Sequence, residues 1–386
     1  MKESGIDWIG QIPEEWEVTK LKYALLISNG KDYKDIEVEE GGYPVIGSGG
    51  VFARSRNYMY DGDVVLLGRK GTIDKPLFYS GKFWTVDTMF YSTALNGNNI
   101  KFMYYSSLLI PFSYYSTATA LPSMTQSDLN NHMLCLPSIS EQTKIADFLD
   151  KKTAQLDKAK SLLEEQIQKL KDYRASLIYE TVTKGLDKNV PMKDSGIDWI
   201  GQVPQGWGVS RLKYYFDIYA GGDIDERNTV EEYSESHPYP VLSNSLENEG
   251  VLGYTNKYRF KKNCVTVTGR GDVGKAVYRN INFYPVVRLL VCVPKSQVDC
   301  RFVTYWINSA IIEKNQTAVS QLTIQMLGEL LFVNVPFLVQ KNIADFLDKE
   351  TIQIDKLIQI KNQQIDNINK QRQTLIYDYV TGKRRV

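Results

Sequence analysis

Leucine stands at positions 149, 156, 163, 170 and 177, one every seven residues, in a stretch that is otherwise largely polar. A strict seven-residue repeat of this length predicts an α-helix with one narrow apolar seam, and such a seam needs a partner helix. Lys152, Thr153, Ala159, Ile167 and Tyr173 fall between the leucines as a mixed second row. Ser138 with Glu141 reads as a capping box at the start, and Gly185 as a left-handed stop. A helix of this extent is on the order of 55 Å long.

The partner lies in the same chain. The hexapeptide Ile-Ala-Asp-Phe-Leu-Asp at 145–150 recurs at 343–348, and the copy runs on through Leu347, Ile354, Ile358, Ile365, Ile368 and Leu375. Lys361 stands where Leu163 stands in the first helix, and Pro336 where Ser138 stands. A lysine on a seam lowers stability and fixes register. Two unrelated amphipathic helices would not share an identical hexapeptide in the same phase.

The repetition extends beyond the helices. Residues 1–23 and 192–214 are identical at 16 of 23 positions. The chain therefore reads as two tandem units of roughly 190 residues, each the size of one domain plus one long helix. The expected bounds are 1–142 for the first domain, 143–185 for the first helix, 186–340 for the second domain and 341–386 for the second helix. Between opening segment and helix the pattern is β-rich, so the fold class is α+β. Residues 63–67, 83–86, 264–268 and 286–293 read as strands, and 102–109 and 302–312 as helices. The middles share a sparse skeleton: Tyr43-Pro-Val answers Tyr239-Pro-Val, Gly68-Arg69 answers Gly269-Arg270, and Thr119-Ala120 answers Thr317-Ala318.

Composition adds limits. With 46 basic and 45 acidic residues the net charge is +1, so any basic surface must be local. Cys135, Cys264, Cys292 and Cys300 show no paired spacing, which points to a reducing, cytoplasmic setting. No signal peptide or membrane-length apolar run is expected.

These repeated features carry a resemblance. The Gly5-Ile-Asp-Trp-Ile-Gly-Gln-Ile-Pro13 opening with Trp16, the Glu141-Gln142…Ile145-Ala-Asp-Phe-Leu149 helix start and their second copies resemble the specificity subunit of type I restriction–modification enzymes. The resemblance implies two target-recognition domains separated by two long helices packed as an antiparallel coiled coil, a tandem repeat with pseudo-two-fold symmetry. Each domain would read one half of a split, asymmetric sequence in double-stranded DNA. Two DNA-methyltransferase subunits and, for cleavage, restriction or motor subunits would assemble around the chain. S-adenosylmethionine, and ATP and Mg for restriction, would be held by those other subunits and no cofactor by this one.

Gly269-Arg-Gly-Asp-Val-Gly-Lys275 fits seven positions of a phosphate-binding P-loop, but Ala276 stands where Ser or Thr would hold magnesium. The following residues read as strand and turn, and residues 68–75 at the equivalent place form no P-loop. Both loops instead present basic side chains. Arg69, Lys70, Lys75, Arg270 and Lys275 are the first candidates for DNA contact, where an arginine binds guanine bidentately or holds a phosphate. Arg54, Arg56 and Tyr58 form a basic–aromatic cluster, and Lys257, Tyr258, Arg259, Lys261 and Lys262 its counterpart. An ordinary solvated surface reads the same way. Asn244, Asn248 and Asn256 suit adenine edges or simple turns. Trp8, Trp16, Trp199 and Trp207 read as packing anchors. His132 and His237 have no metal-ligand neighbours in sequence, and no motif for base methylation or S-adenosylmethionine binding is present. Lys158, Glu164, Glu165 and Lys169 lie on faces left for partner subunits. The expectation is a DNA-binding subunit without its own catalytic or metal site. Its rivals are a stand-alone nuclease or NTPase, and a coiled-coil adaptor that binds no DNA.

Overall fold

The computed structural model describes residues 1–115, 122–314 and 321–386. The Thr119-Ala120 and Thr317-Ala318 pair lies outside the described residues. Two compact units form, residues 1–163 with 362–386 and residues 164–361. This division cuts both long helices, so each unit holds the first half of one and the second half of the other.

In the first unit seven strands make one sheet, in the order Leu25–Asn29, Met89–Ala94, Tyr60–Gly68, Leu77–Thr85, Tyr43–Gly47, Gly50–Ser55, Glu37–Val38. Neighbours are antiparallel except Tyr43–Gly47 with Leu77–Thr85. Alternation along Tyr60–Gly68 sends successive residues to opposite faces. Val65 and Leu67 join the core of Trp16, Phe90, Phe102 and Met103. Val64 and Leu66 join a smaller core with Val45, Ile46, Phe83 and Met89.

The second unit repeats this frame in two pieces. One sheet runs Phe216–Ala220, Leu289–Pro294, Cys264–Thr268, Ala276–Arg279, and the other Thr229–Val230, Val251–Thr255, Tyr239–Leu242, Tyr284–Pro285. The single long strand Leu77–Thr85 is thus answered by two short ones. The strand expected over 286–293 starts only at Leu289, because Arg288 takes a φ of +74° that no ladder accepts.

The long helices run Ile139–Lys184 and Phe337–Val380. At 1.5 Å per residue they are about 65–70 Å long, longer than the sequence suggested. Ser138 Oγ accepts from the Glu141 N–H at 3.3 Å, but the Glu141 carboxylate does not reach back. It accepts from Trp16 Nε1 at 3.2 Å, so the second half of the expected capping box is a tether to the opening segment. Pro336 keeps its carbonyl for the Val339 and Gln340 N–H groups. Gly185 ends the first helix at φ +78°, its N–H bonded to Thr181 O.

The repeated hexapeptide docks each domain on the start of its helix. Ile145, Ala146 and Leu149, like Ile343, Ala344 and Leu347, are fully buried. Asp150 accepts from Tyr105 Oη at 2.8 Å and pairs with Lys101. Asp348 accepts from Tyr305 Oη at 2.9 Å and from Arg301 Nη1 at 2.8 Å. Gln142 Oε1 accepts from the Asn99 N–H, and Gln340 Oε1 from the Asp299 N–H, both at 2.9 Å. The far ends of the helices hold the opening segments: Tyr377 Oη donates to Trp8 O at 3.0 Å and Tyr179 Oη to Trp199 O at 2.7 Å.

Along the seam Leu149, Leu347 and Ile354 are buried, while Leu156, Leu163, Leu170, Leu177, Ile368 and Leu375 are half-buried. Lys152 and Tyr173 are exposed and do not belong to the second row. That row is Thr153, Lys160, Ile167, Arg174 and Thr181, itself a seven-residue repeat. Within each unit the paired helix segments run antiparallel. In the first, the Phe148 and Tyr379 rings lie 4.5 Å apart and Arg372 Nε is 3.4 Å from Asp157. In the second, Arg174 Nε is 3.2 Å from Asp355, and Lys361 donates to Gln166 Oε1 at 2.6 Å. A seam lysine is tolerated because its ammonium is hydrogen-bonded at an edge and not buried.

Candidate nucleic-acid interface

Hydrogen bonds fix how the two candidate loops correspond. Arg69 O accepts from the Met124 N–H at 2.9 Å, and Gly269 O from the Leu322 N–H at 3.0 Å. Gly71 and Gly271 both take positive φ, +82° and +71°. Arg69 therefore answers Gly269, Lys70 answers Arg270, and Lys75 answers Lys275. The pairing of Gly68-Arg69 with Gly269-Arg270 is one residue out, because a shared dipeptide outweighed the strand register.

Lys70, Lys75 and Arg270 are exposed, and Lys275 is half-buried. Arg69 differs in use: its guanidinium donates to Asp87 O at 3.2 Å and lies 5.9 Å from the Phe90 ring. Arg69 and Lys70 also line a cavity of about 380 Å³ with Asn29, Thr125 and Gln126. The second loop closes on Thr268, whose carbonyl accepts from the Gly274 N–H at 2.7 Å and whose hydroxyl accepts from the Lys275 N–H at 2.9 Å. The chain then enters the strand Ala276–Arg279, so no helix N-terminus faces the loop as a P-loop requires.

The basic–aromatic clusters share one element that the sequence did not reveal. Tyr43 and Tyr58 meet edge to face at 5.0 Å, and Tyr239 and Tyr258 at 4.9 Å. Lys82 Nζ sits 4.8 Å from the Tyr58 ring, an addition to the first cluster. Arg54 and Arg56 are exposed but partly engaged, donating to Gly41 O and Gly42 O and to Asp35 O. Lys257 and Arg259 are exposed, with Arg259 stacked 5.5 Å from Phe260.

Asn244 is not free to read a base. Its Oδ1 accepts from the Gly269 N–H at 2.8 Å and its Nδ2 donates to Val287 O at 3.2 Å, tying the segment after Tyr239–Leu242 to the basic loop. Trp16 and Trp207 are buried and Trp8 and Trp199 half-buried. Trp199 packs 5.5 Å from Trp306 and Trp207 closes on Gly185. His132 is buried between Trp8 and Tyr115, with Nδ1 2.9 Å from Tyr115 Oη, and burial pushes its pKa down to about 4. His237 binds Ser234 and Ser236. All four cysteines are buried, and burial pushes their thiols up. Among the described residues no group of His, Cys, Asp and Glu is placed to hold a metal ion, and no helix is long and apolar enough to cross a membrane.

Comparison with known proteins gives one answer. The profile of the type I restriction modification DNA specificity domain matches twice, at residues 13–171 and 204–370. The putative type I specificity subunit S.MpnORF89P of Mycoplasma pneumoniae is 26% identical over 76% of this chain and 86% of its own length. The putative type I restriction enzyme MjaX specificity subunit of Methanocaldococcus jannaschii is 25% identical over 98% and 96%. Among solved structures, a chain from a type I R-M system superposes with a TM-score of 0.76 at 15% identity, covering 96% of this chain and 98% of that one. The HsdS subunit from Thermoanaerobacter tengcongensis gives 0.53 at 15% identity, over the whole of both chains. With both halves matched in order and both built on the same frame, the chain belongs to the type I restriction–modification specificity subunit family.

Proposed function

We propose that each β-rich domain reads one half of a split DNA target through its basic loop and the neighbouring tyrosine pair. The long helices set the spacer and dock two methyltransferase subunits, with restriction or motor subunits joining for cleavage. S-adenosylmethionine, ATP and Mg belong to those subunits, and this chain supplies recognition without catalysis. The observation that carries the reading is the equivalence of Lys70 and Arg270. They are exposed basic residues at one hydrogen-bonded position of two domains whose frames repeat and whose loops differ. Such contacts steer binding through phosphates and specify through base edges.

The test is selection of binding sites from a randomised DNA library by the full chain with its partner subunits. Arg270→Ala should weaken binding by about 1–3 kcal/mol and relax preference in the half-site of the second domain alone. Lys70→Ala should do the converse, in the other half-site. Loss spread evenly over both half-sites, or none, would overturn the assignment. Inserting seven residues into both helices keeps the seam in phase and adds about 10 Å, or about three base pairs. The preferred spacer should lengthen accordingly or affinity should collapse. An unchanged spacer at parental affinity would remove the helices as the ruler.

A further inference from the structure

The second domain holds a pocket of about 390 Å³ beside its basic loop. Ser243, Thr266, Thr268, Lys275 and Arg279 line it, together with Glu249. Arg279 is only 6% exposed. Its Nε donates to Thr266 Oγ1 at 2.9 Å and its Nη1 to Glu249 O at 3.1 Å, both neutral acceptors. No carboxylate lies within ion-pair distance of it among the described residues. Burial pushes the guanidinium pKa down, and the charge of Glu249 offsets this only in part. A buried cation only partly offset by an opposite charge is costly, and a polar cavity beside it is where an anion would lower that cost.

The first domain packs the equivalent place differently. The ladder pairs Cys264 with Arg279 in one domain and Val64 with Tyr79 in the other. By the same register Thr266 answers Leu66, and Thr268 answers Gly68. There Leu66 and Tyr79 pack with Phe83 and Met89, and the second domain keeps the last two apolar as Phe283 and Leu289. Exchanging Leu66 for Thr266 and Tyr79 for Arg279 removes packing, and leaves a guanidinium beside the Lys275 ammonium on a space of roughly a dozen water volumes at about 30 Å³ each. The segment over the cavity is also strained: Asn248 and Glu249 take φ of +47° and +55°. Arg279 and Ser243 hold it there through Glu249 O and Gly250 O.

We propose that this cavity is a binding site for a phosphate-type oxyanion, held by the Arg279 guanidinium and the Lys275 ammonium. The chemistry is shared by inorganic phosphate and by a DNA backbone phosphate. Glu249, on the cavity wall, opposes the anion and tunes the affinity. The site shares Lys275 with the basic loop but rests on Arg279 and the cavity, not on base reading by Arg270.

The experiment is hydrogen exchange on the full chain in sodium phosphate against sodium chloride at matched ionic strength. Phosphate should slow exchange in 243–250 and 264–279 several-fold and leave 60–85 of the first domain unchanged. Arg279→Met should abolish that protection, and Glu249→Gln should strengthen it. Lys275→Met should weaken it if Arg279→Met does not fold. A short duplex of arbitrary sequence replaces phosphate in a second arm. Protection that phosphate competes away assigns the anion to the DNA backbone, and protection by phosphate alone assigns a free anion. Neither result touches the half-site test, so the two assignments fail separately. If neither phosphate nor duplex slows exchange over 243–250, or if Glu249→Gln and Lys275→Met leave the phosphate effect unchanged, the site does not exist.

Discussion

At the place where the first domain packs Tyr79 beside Leu66, the second sets Arg279 beside Thr266, and where one helix carries Ser106 the other carries Trp306. The contacts that dock each domain on its helix repeat closely. Tyr105 and Tyr305 bond Asp150 and Asp348 alike, Gln142 and Gln340 accept the same backbone N–H, and Thr125 and Thr323 cap the same short helix. What repeats is the machinery that fixes a domain to a helix. What differs is the sheet, in its strand make-up and interior, and the helix position held by Ser106 or Trp306. A duplicated frame is thus free to vary where it faces a target, and held where it faces itself.

The comparison can be broken most severely at Trp306, which is fully buried with Nε1 bonded to Leu331 O at 3.0 Å. Trp306→Ala should destabilise the second unit by about 3–5 kcal/mol. Ser106→Ala should cost the first less than about 1 kcal/mol. Urea unfolding followed by hydrogen exchange in each unit separates the two, and equal losses would show that the units do not melt independently.

A smaller difference is chemical. His132 O accepts from the Leu21 N–H, and in the second unit Leu330 O accepts from Leu212 N–H, so a buried imidazole in one domain answers a leucine in the other. The folded pKa of His132 is depressed to about 4, below the ordinary 6.5. The unfolded chain therefore takes up the proton first as pH falls. Stability is intact above about 6.5 and is lost toward 4, by about 2–3 kcal/mol. The first unit alone should show this slope, and His132→Leu should flatten it. A slope of the same size in the second unit would break the contrast.

The mildest test concerns Asn244, whose place in the first domain is taken by Ser48. Asn244→Ala should cost about 1 kcal/mol of stability. It should also loosen sequence preference in the second half-site, because Gly269 loses its anchor. Unchanged preference in the selected sites would confine Asn244 to a structural tie.

Much of this architecture is legible in the amino-acid sequence alone. The seven-residue leucines, the repeated hexapeptide and the doubled opening segment are local patterns, and each reports one surface that must be buried. The strand Cys264–Thr268 is readable because both of its faces are buried, which leaves an unbroken β-branched run. The rest depends on partners distant in sequence. Arg174 and Arg372 look like solvated charges until Asp355 and Asp157 are brought beside them. Arg279 reads as the polar residue of a short strand, yet it is enclosed by the segment 243–250. The loop register escapes the sequence pattern because a Gly-Arg dipeptide is a weaker guide than the carbonyl that meets Met124 or Leu322. Lys82 joins the tyrosine pair from a strand that the sequence pattern marks only at its end.

The composition of the units has a consequence for how the protein is made. The second unit is one continuous stretch, 164–361, whereas the first needs 362–386 to be whole. During synthesis the opening segment emerges first, but Tyr377, which binds the Trp8 carbonyl, follows only after the entire second unit. At 5–20 residues per second that delay is roughly 10–40 s. Through it the first domain's apolar face toward Ile376 and Val380 lacks its cover, so the first unit closes only after the second is whole.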